Sequence, residues 1–215
     1  MHILVDLDGT LLDTRPGIIA SIRFALDRLG APVPAADELG WVIGPPLRAT
    51  FPRLLPDSGL LEEAIALYRR SYRDGAMYQA AVYAGVPEAL ERMAEAGCRL
   101  IVATAKPHVF ARPLLERFHL GHRFAAVYGP ELDGTNDHKT DLLAHILERE
   151  GLAPRWAVMV GDRDLDVRAA AANGIRAVGV TWGYGSVGEL SGAGAAALCE
   201  TPDRLAATAL ALLAR

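Results

Sequence analysis

A chain of 215 residues, 51% hydrophobic and 22% charged, is long enough for one large domain or for a domain carrying a smaller insertion, and too apolar to be disordered. Its formal net charge of −4, with no long run of one sign, excludes the basic footprint of a nucleic-acid polymer binder, while a phosphate site needs only a few local cations. Two cysteines outside any CxxC pair, Cys98 and Cys199, exclude a zinc cage and read as free thiols in a reducing compartment.

In chain order, MHILVDLDGT has no basic stretch ahead of an apolar signal core, and nothing approaches the roughly 18–20 apolar residues of a membrane span. A cytoplasmic protein without a membrane partner is expected. His2–Val5 is a short apolar run that ends in two aspartates. From Arg15 to about Met77 no strand pattern occurs. Helical spacing covers Ile18–Leu29, a short stretch near Asp37–Val42, and Leu60–Arg73, with Gly44-Pro45-Pro46-Leu47 interrupting them. Beyond this point short runs alternate with helices. Leu100–Ala103, Ala125–Tyr128, Ala157–Val160 and Ala177–Val180 have the β-branched character of buried parallel strands. Val86–Ala96, Val109–Phe118, Thr140–Glu150 and Leu165–Asn173 have helical spacing. Pro87, Pro107 and Pro202 stand where helices can begin, and Gly97, Gly121, Gly151 and Gly174 where they can end. Gly192–Ala197 reads as a loop before an edge strand.

The pattern predicts an α/β fold: a Rossmann-like parallel sheet with helices on both faces, interrupted after its first strand by a small all-helical domain. Residues 1–14 and 78–215 are expected to form the core, and 15–77 the inserted cap.

Four places can carry chemistry. Asp6 and Asp8, two apart at a strand exit, can point into one site, and two such carboxylates ask for a cation or a shared proton; a solvated turn is the alternative. Asp162 follows another apolar strand, and Asp166 lies four residues on, at a helix start, where it can turn back towards Asp162 or simply cap the helix. Oxygen ligands gathered this way suit Mg2+. Thr104 after LIVA can bind phosphate or cap a helix. Lys139, at a helix start, runs against the dipole preference, so it balances an anion or lies in solvent.

Taken together, the order DxDGT, Thr104, Lys139, GDxxxD resembles the haloacid dehalogenase superfamily over essentially the whole chain. DxDGT and GDxxxD are the specific parts. Ile43-Gly44-Pro45-Pro46-Leu47, the run from Gly161 to Val167, and Gly179 through Gly185 are similar to its phosphoglycolate phosphatase-like and 5'-nucleotidase-like branch. The resemblance implies that Asp6 is the nucleophile and Asp8 the general acid and base. It implies Mg2+ held by the Asp6 carboxylate, the Asp8 backbone carbonyl and the Asp162 carboxylate, with Asp166 supporting that shell. Thr104 would bind the transferring phosphoryl group, and Lys139 would neutralise it and orient Asp6.

The implied activity is hydrolysis of a small phosphorylated metabolite through an aspartyl-phosphate, most closely phosphoglycolate phosphatase-like. A 5'-nucleotidase and a β-phosphoglucomutase-like transferase are the alternatives. A phosphate-binding receiver-like module is the non-enzymatic one, although it lacks a cap after its first strand. A dehalogenase is opposed by Asp8 and the GDxxxD pair. Arg48 beside the Gly44–Leu47 break, and Lys106, are the candidate substrate contacts, a surface arginine and a solvated lysine being the alternatives. Trp41, Tyr78 and Tyr83 are expected in packing or hinge roles, and His108, His119, His138 and His145 as surface or helix residues. A monomer or homodimer is expected.

Overall fold

The computed structural model describes residues 1–214. The chain begins with β1 (His2–Val5), turns tightly, and forms the two-residue β2 (Leu12–Asp13). It then makes three α-helices, α1 (Arg15–Arg28), α2 (Leu47–Thr50) and α3 (Leu61–Arg73), with short 3-10 turns between them, before β3 (Ala81–Val82), which pairs with β2. Strand and helix alternate from there: α4 (Val86–Glu95), β4 (Arg99–Ala103), α5 (His108–Arg117), β5 (Ala126–Tyr128), α6 (Lys139–Glu150) and β6 (Ala157–Gly161). The last elements are α7 (Asp164–Ala172), β7 (Arg176–Val180), α8 (Val187–Gly192), β8 (Ala197–Cys199) and α9 (Pro202–Leu213). Two compact units result. One comprises Met1–Asp13 and the chain from Val82 onward; the other is Thr14–Ala81.

The core unit is a six-stranded parallel sheet in the order β5-β4-β1-β6-β7-β8. The central strands are buried along nearly their whole length, which is why they read as continuous apolar runs, while the edge strands β5 and β8 are only partly covered. Strands alternate their side chains between faces. Leu4, Ile101, Ala103 and Met159 point to one face, where they pack with Leu142 and Ile146 of α6 and Val167 and Ala170 of α7. α4 and α9 pack on each other, and also against β4 and β6 respectively. Starting at β1, the sheet grows through β4 to β5 and then resumes at β6 on the other side of β1. The strand order therefore reverses between β1 and β6, the place where open α/β sheets leave a crevice beyond the strands' carboxyl ends.

The parallel sheet and helical insertion match the expectation, with physical reasons for the differences. β4 and β7 each begin one residue ahead of the apolar run, at Arg99 and Arg176, because ladder pairing needs only the backbone. α8 was not expected. Its first turn is set by the Ser186 hydroxyl, which accepts from the Glu189 amide at 3.0 Å.

In the inserted unit, α1 packs on α3 and buries Ile22 and Leu26 from one helix, Ile65 and Tyr72 from the other. An aromatic chain supports them: Phe51 meets Tyr68 edge-on at 6.3 Å, and Tyr68 stacks on Tyr72 at 5.4 Å. Gly17 of α1 has no room for a methyl group, which would strike the Ala76 carbonyl. Among the described residues no helix is long and apolar enough to cross a membrane.

Candidate active site

The site begins where β1 ends. The Asp6 amide donates to the Val160 carbonyl of β6 at 2.9 Å, so the aspartate is still held in the sheet. The chain then folds tightly: the Leu7 carbonyl accepts from the amides of Leu11 and Leu12 at 2.9 and 3.0 Å. Gly9 takes φ +80°, and a side chain there would collide with the Asp162 carboxylate. Leu4 lies on the face that carries α6 and α7, and Asp6, two residues on, shares that face. There it meets the first residue of α6. Lys139 Nζ lies 2.6 Å from Asp6 Oδ1 and 2.7 Å from Asp166 Oδ1.

Asp162 leaves β6 next door and is fully buried. Its Oδ2 accepts from the Tyr184 amide at 2.7 Å, and Oδ1 from the Thr10 hydroxyl at 3.4 Å. Asp166 is on the first turn of α7, where Oδ2 also accepts from the Arg163 amide at 3.1 Å. It therefore caps the helix and faces the cluster at once; the two readings of its position are both realised.

Asp6, Asp162 and Asp166 each offer an oxygen, all within 4.8 Å of one another. Burial, resisted by Lys139 and helped by Asp166 and Asp8, pushes Asp6 up to about 7. Burial, then the charges of Asp166 and Asp6, pushes Asp162 well above the usual carboxylate range. Burial alone would lower the Lys139 ammonium, but Asp166 and Asp6 outweigh it and hold the group above an ordinary lysine. Three carboxylates around one ammonium leave an excess matching the charge of one divalent cation. The donors are all oxygens, as Mg2+ prefers. By charge and by donor chemistry the residues fit that ion.

Asp8, half-buried, belongs to a second pair whose lysine is buried. Lys106 Nζ lies 3.0 Å from Asp8 Oδ2. Thr104, at the end of β4, is buried, and its hydroxyl accepts from the Lys106 amide at 3.1 Å. Of the sequence candidates, then, Asp6, Asp162, Asp166 and Lys139 meet in one cluster, and Asp8, Lys106 and Thr104 in an adjoining one. Arg48 stands on α2 in the inserted unit, where its guanidinium pairs with Glu62. In that unit Trp41 lies under the Arg53 guanidinium at 3.7 Å, and Tyr78 is exposed. His108 pairs with Glu131, and His145 packs against Tyr128.

A collar around Asp162 was missed by sequence reasoning. Tyr184, besides its amide bond to Asp162, donates its hydroxyl to Asp13 at 2.9 Å, and burial holds that phenol far above its usual value. Trp182 Nε1 donates to the Thr10 carbonyl at 3.1 Å. Methyl groups at Gly183 and Gly185 would strike Asp162, and one at Gly161 would strike Asp166. The signal was the glycine spacing in Gly183-Tyr184-Gly185.

A family model described as haloacid dehalogenase-like hydrolase matches residues 3–180. A 5'-nucleotidase of Pseudomonas aeruginosa is 45% identical over 88% of this chain and 86% of its own length. The tyrosine-protein kinase PtkA of Mycobacterium tuberculosis is 41% identical over 85% of this chain, which spans only 62% of that protein. A phosphoglycolate phosphatase of Pseudomonas putida is 30% identical over 85% of this chain and 70% of its own. Among solved structures, a predicted phosphatase from Clostridium acetobutylicum superimposes with a TM-score of 0.93, at 35% identity and over 98% of both chains.

Proposed function

This chain belongs to the haloacid dehalogenase-like hydrolases, and on that premise we propose that it is a magnesium-dependent phosphomonoesterase whose nucleophile is Asp6 and whose substrate is a nucleoside 5'-monophosphate. The observation that carries the reading is the buried Asp6–Asp162–Asp166 cluster with Lys139 inserted in it, at the point where the strand order reverses.

The chemistry follows from those groups. An Asp6 oxygen attacks phosphorus while the bond to the ester oxygen breaks. Asp8 hands its proton to that departing oxygen, so an alcohol leaves rather than an alkoxide. The aspartyl-phosphate on Asp6 divides one hard displacement into two easier ones. Water then attacks phosphorus, gives a proton to Asp8, and frees phosphate and Asp6. A carboxylate approaching an anionic ester is repelled. Lys139 counters this on the protein side, being fixed by two carboxylates, and Thr104 offers a hydroxyl to the phosphoryl oxygens. Mg2+, when bound by the carboxylates and the Asp8 carbonyl, supplies the remaining positive charge.

Phosphoglycolate was the first expectation from sequence. The nucleotide is favoured because the 5'-nucleotidase shares 45% identity over 86% of its length, against 30% over 70% for the phosphoglycolate phosphatase. Free Cys98 and Cys199 support a reducing, cytoplasmic setting.

The test is phosphate release from a panel of nucleoside monophosphates, phosphoglycolate and sugar phosphates, with and without magnesium. Preference for a nucleotide, lost in Asp6→Asn, is expected. Preference for phosphoglycolate would restore the first expectation. Silence on every ester from folded protein would remove the hydrolase reading.

A further inference from the structure

Each aspartate of the first motif has its own buried lysine, and the two lysines come from different parts of the fold. Lys139, on the first turn of α6, serves Asp6 and Asp166. Lys106, beyond the end of β4, serves Asp8. Sequence reasoning offered Lys106 as a candidate substrate contact or a solvated lysine. The geometry points elsewhere: we infer that Lys106 is a positioning residue that acts on the reaction through Asp8.

Three observations support this. First, the pair is close and largely withdrawn from solvent, Nζ to Oδ2 being 3.0 Å with side chains 5% and 13% exposed, so the contact fixes where the Asp8 carboxyl lies. Second, the pair is set by the sheet. Val5 lies opposite Val102 in the β1–β4 ladder, so Asp8 and Lys106 leave neighbouring strands at nearly the same height. Third, the backbone under Lys106 is pinned. Its amide donates to the Thr104 hydroxyl at 3.1 Å, and its carbonyl packs on Gly129 so closely that a methyl group there would collide. A lysine meant to follow a substrate needs freedom; this one is built as a strut.

The consequence is specific, and it rests on the proposed phosphatase reading. Asp8 transfers a proton to the ester oxygen as the P–O bond breaks. A poor leaving group, such as the alkoxide of a nucleoside, needs that proton at the right place. An acidic nitrophenol leaves with far less help. If Lys106 fixes the Asp8 carboxyl, its removal harms alkyl esters more than aryl esters. The quantity to read is kcat/KM, which covers the steps up to formation of the aspartyl-phosphate and so contains leaving-group departure but not the later hydrolysis.

The experiment measures kcat/KM for adenosine 5'-monophosphate and p-nitrophenyl phosphate with magnesium. The proteins are wild type, Lys106→Met, Lys106→Arg, Asp8→Asn and the Lys106→Met/Asp8→Asn double variant, each checked for folding by thermal unfolding. Lys106→Met is expected to lose about ten times more on the alkyl ester than on the aryl ester, with Lys106→Arg recovering part of it. In the Asp8→Asn background, Lys106→Met should cost little more, since residues acting as a unit are not additive. The double variant removes both members of the pair together, so it keeps the test alive if Lys106→Met alone does not fold. Equal losses on both esters, a rise in KM alone, or additive losses in the double variant would overturn the inference. Failure of the phosphatase reading looks different: wild type itself would release no phosphate.

Discussion

At the carboxyl ends of β1 and β6 the core buries Asp6, Asp162, Asp166 and Lys139, each less than a tenth exposed, whereas in the inserted unit Arg48 and Glu62 pair with 42% and 70% of their side chains in solvent. The interior of the inserted unit is mainly aliphatic and aromatic, with Ile22, Leu26, Phe51 and Tyr72, and its buried polar side chains are the uncharged hydroxyls of Thr14, Ser21 and Thr50. The difference separates two uses of a side chain. An exposed ion pair adds little to stability, because water already solvates both ends. A buried cluster of like charges destabilises the fold unless a cation joins it, and such clusters concentrate where they serve chemistry.

The comparison can be broken first at Asp6. Asp6→Asn should lower turnover by at least about 10^4-fold while the protein still folds, since the amide cannot form the phosphoenzyme. Phosphate release at the wild-type rate from folded Asp6→Asn would remove it as nucleophile. Next comes the cation. EDTA should stop turnover and magnesium restore it, and magnesium at about a hundred times its Kd should stabilise wild type by about 2.7 kcal/mol. Asp162→Asn should abolish that thermal shift, yet melt no lower than metal-free wild type, because it removes one charge from a repulsive cluster. A wild-type melting temperature indifferent to both EDTA and magnesium would count against the metal site.

The other side of the comparison has its own measure. Phe51→Ala, which opens a hole beside Tyr68 in a fully buried position, should cost about 3–5 kcal/mol in chemical denaturation. A cost below about 1 kcal/mol would mean that the aromatic chain does not hold the unit together.

The smallest effect sharpens the contrast with an ion pair of the core that lies away from the site. The Tyr128 hydroxyl, 2.6 Å from Glu150, and Arg99 hold that carboxylate below its ordinary value of 4.5. A lowered pKa means that the stabilisation is complete above pH 4.5 and fades as pH falls through the lower folded value. Glu150→Gln should therefore be less stable than wild type by about 1 kcal/mol at neutral pH, and the gap should close in acid. A gap that persists well below pH 4.5 would show that shape, not charge, is responsible.

Much of this arrangement was legible in the sequence because parallel sheets place chemistry at strand ends. Asp6 and Thr104 follow an apolar run directly and Asp162 one glycine later, and the strands β1, β4 and β6 that carry them are neighbours. From local spacing Lys139 was legible only as an anomaly, a cation at a helix start; its tie to Asp6 came from the family resemblance. Its bridge between Asp6 and Asp166 depends on how α6 and α7 pack on one face, which no local spacing encodes. The contacts of the Tyr184 collar, as opposed to its glycine spacing, were hidden for a related reason. Thr10 and Asp162 are 152 residues apart, and Tyr184 and Asp13 are 171 apart. The substrate role expected for Lys106 followed from its charge near a phosphate; the pairing with Asp8 required knowing the β1–β4 register.

The close packing of Gly9, Gly161, Gly183 and Gly185 against Asp162 and Asp166 has a bearing on mutational scanning. In a saturation library read out by activity, these four positions should be as intolerant as the catalytic aspartates, although they own no side chain. Even alanine adds one carbon where a carboxylate or a backbone oxygen already stands. A map of intolerant positions would then draw an active site larger than the reacting groups, and its outer ring would mark where the chain had to make room for them.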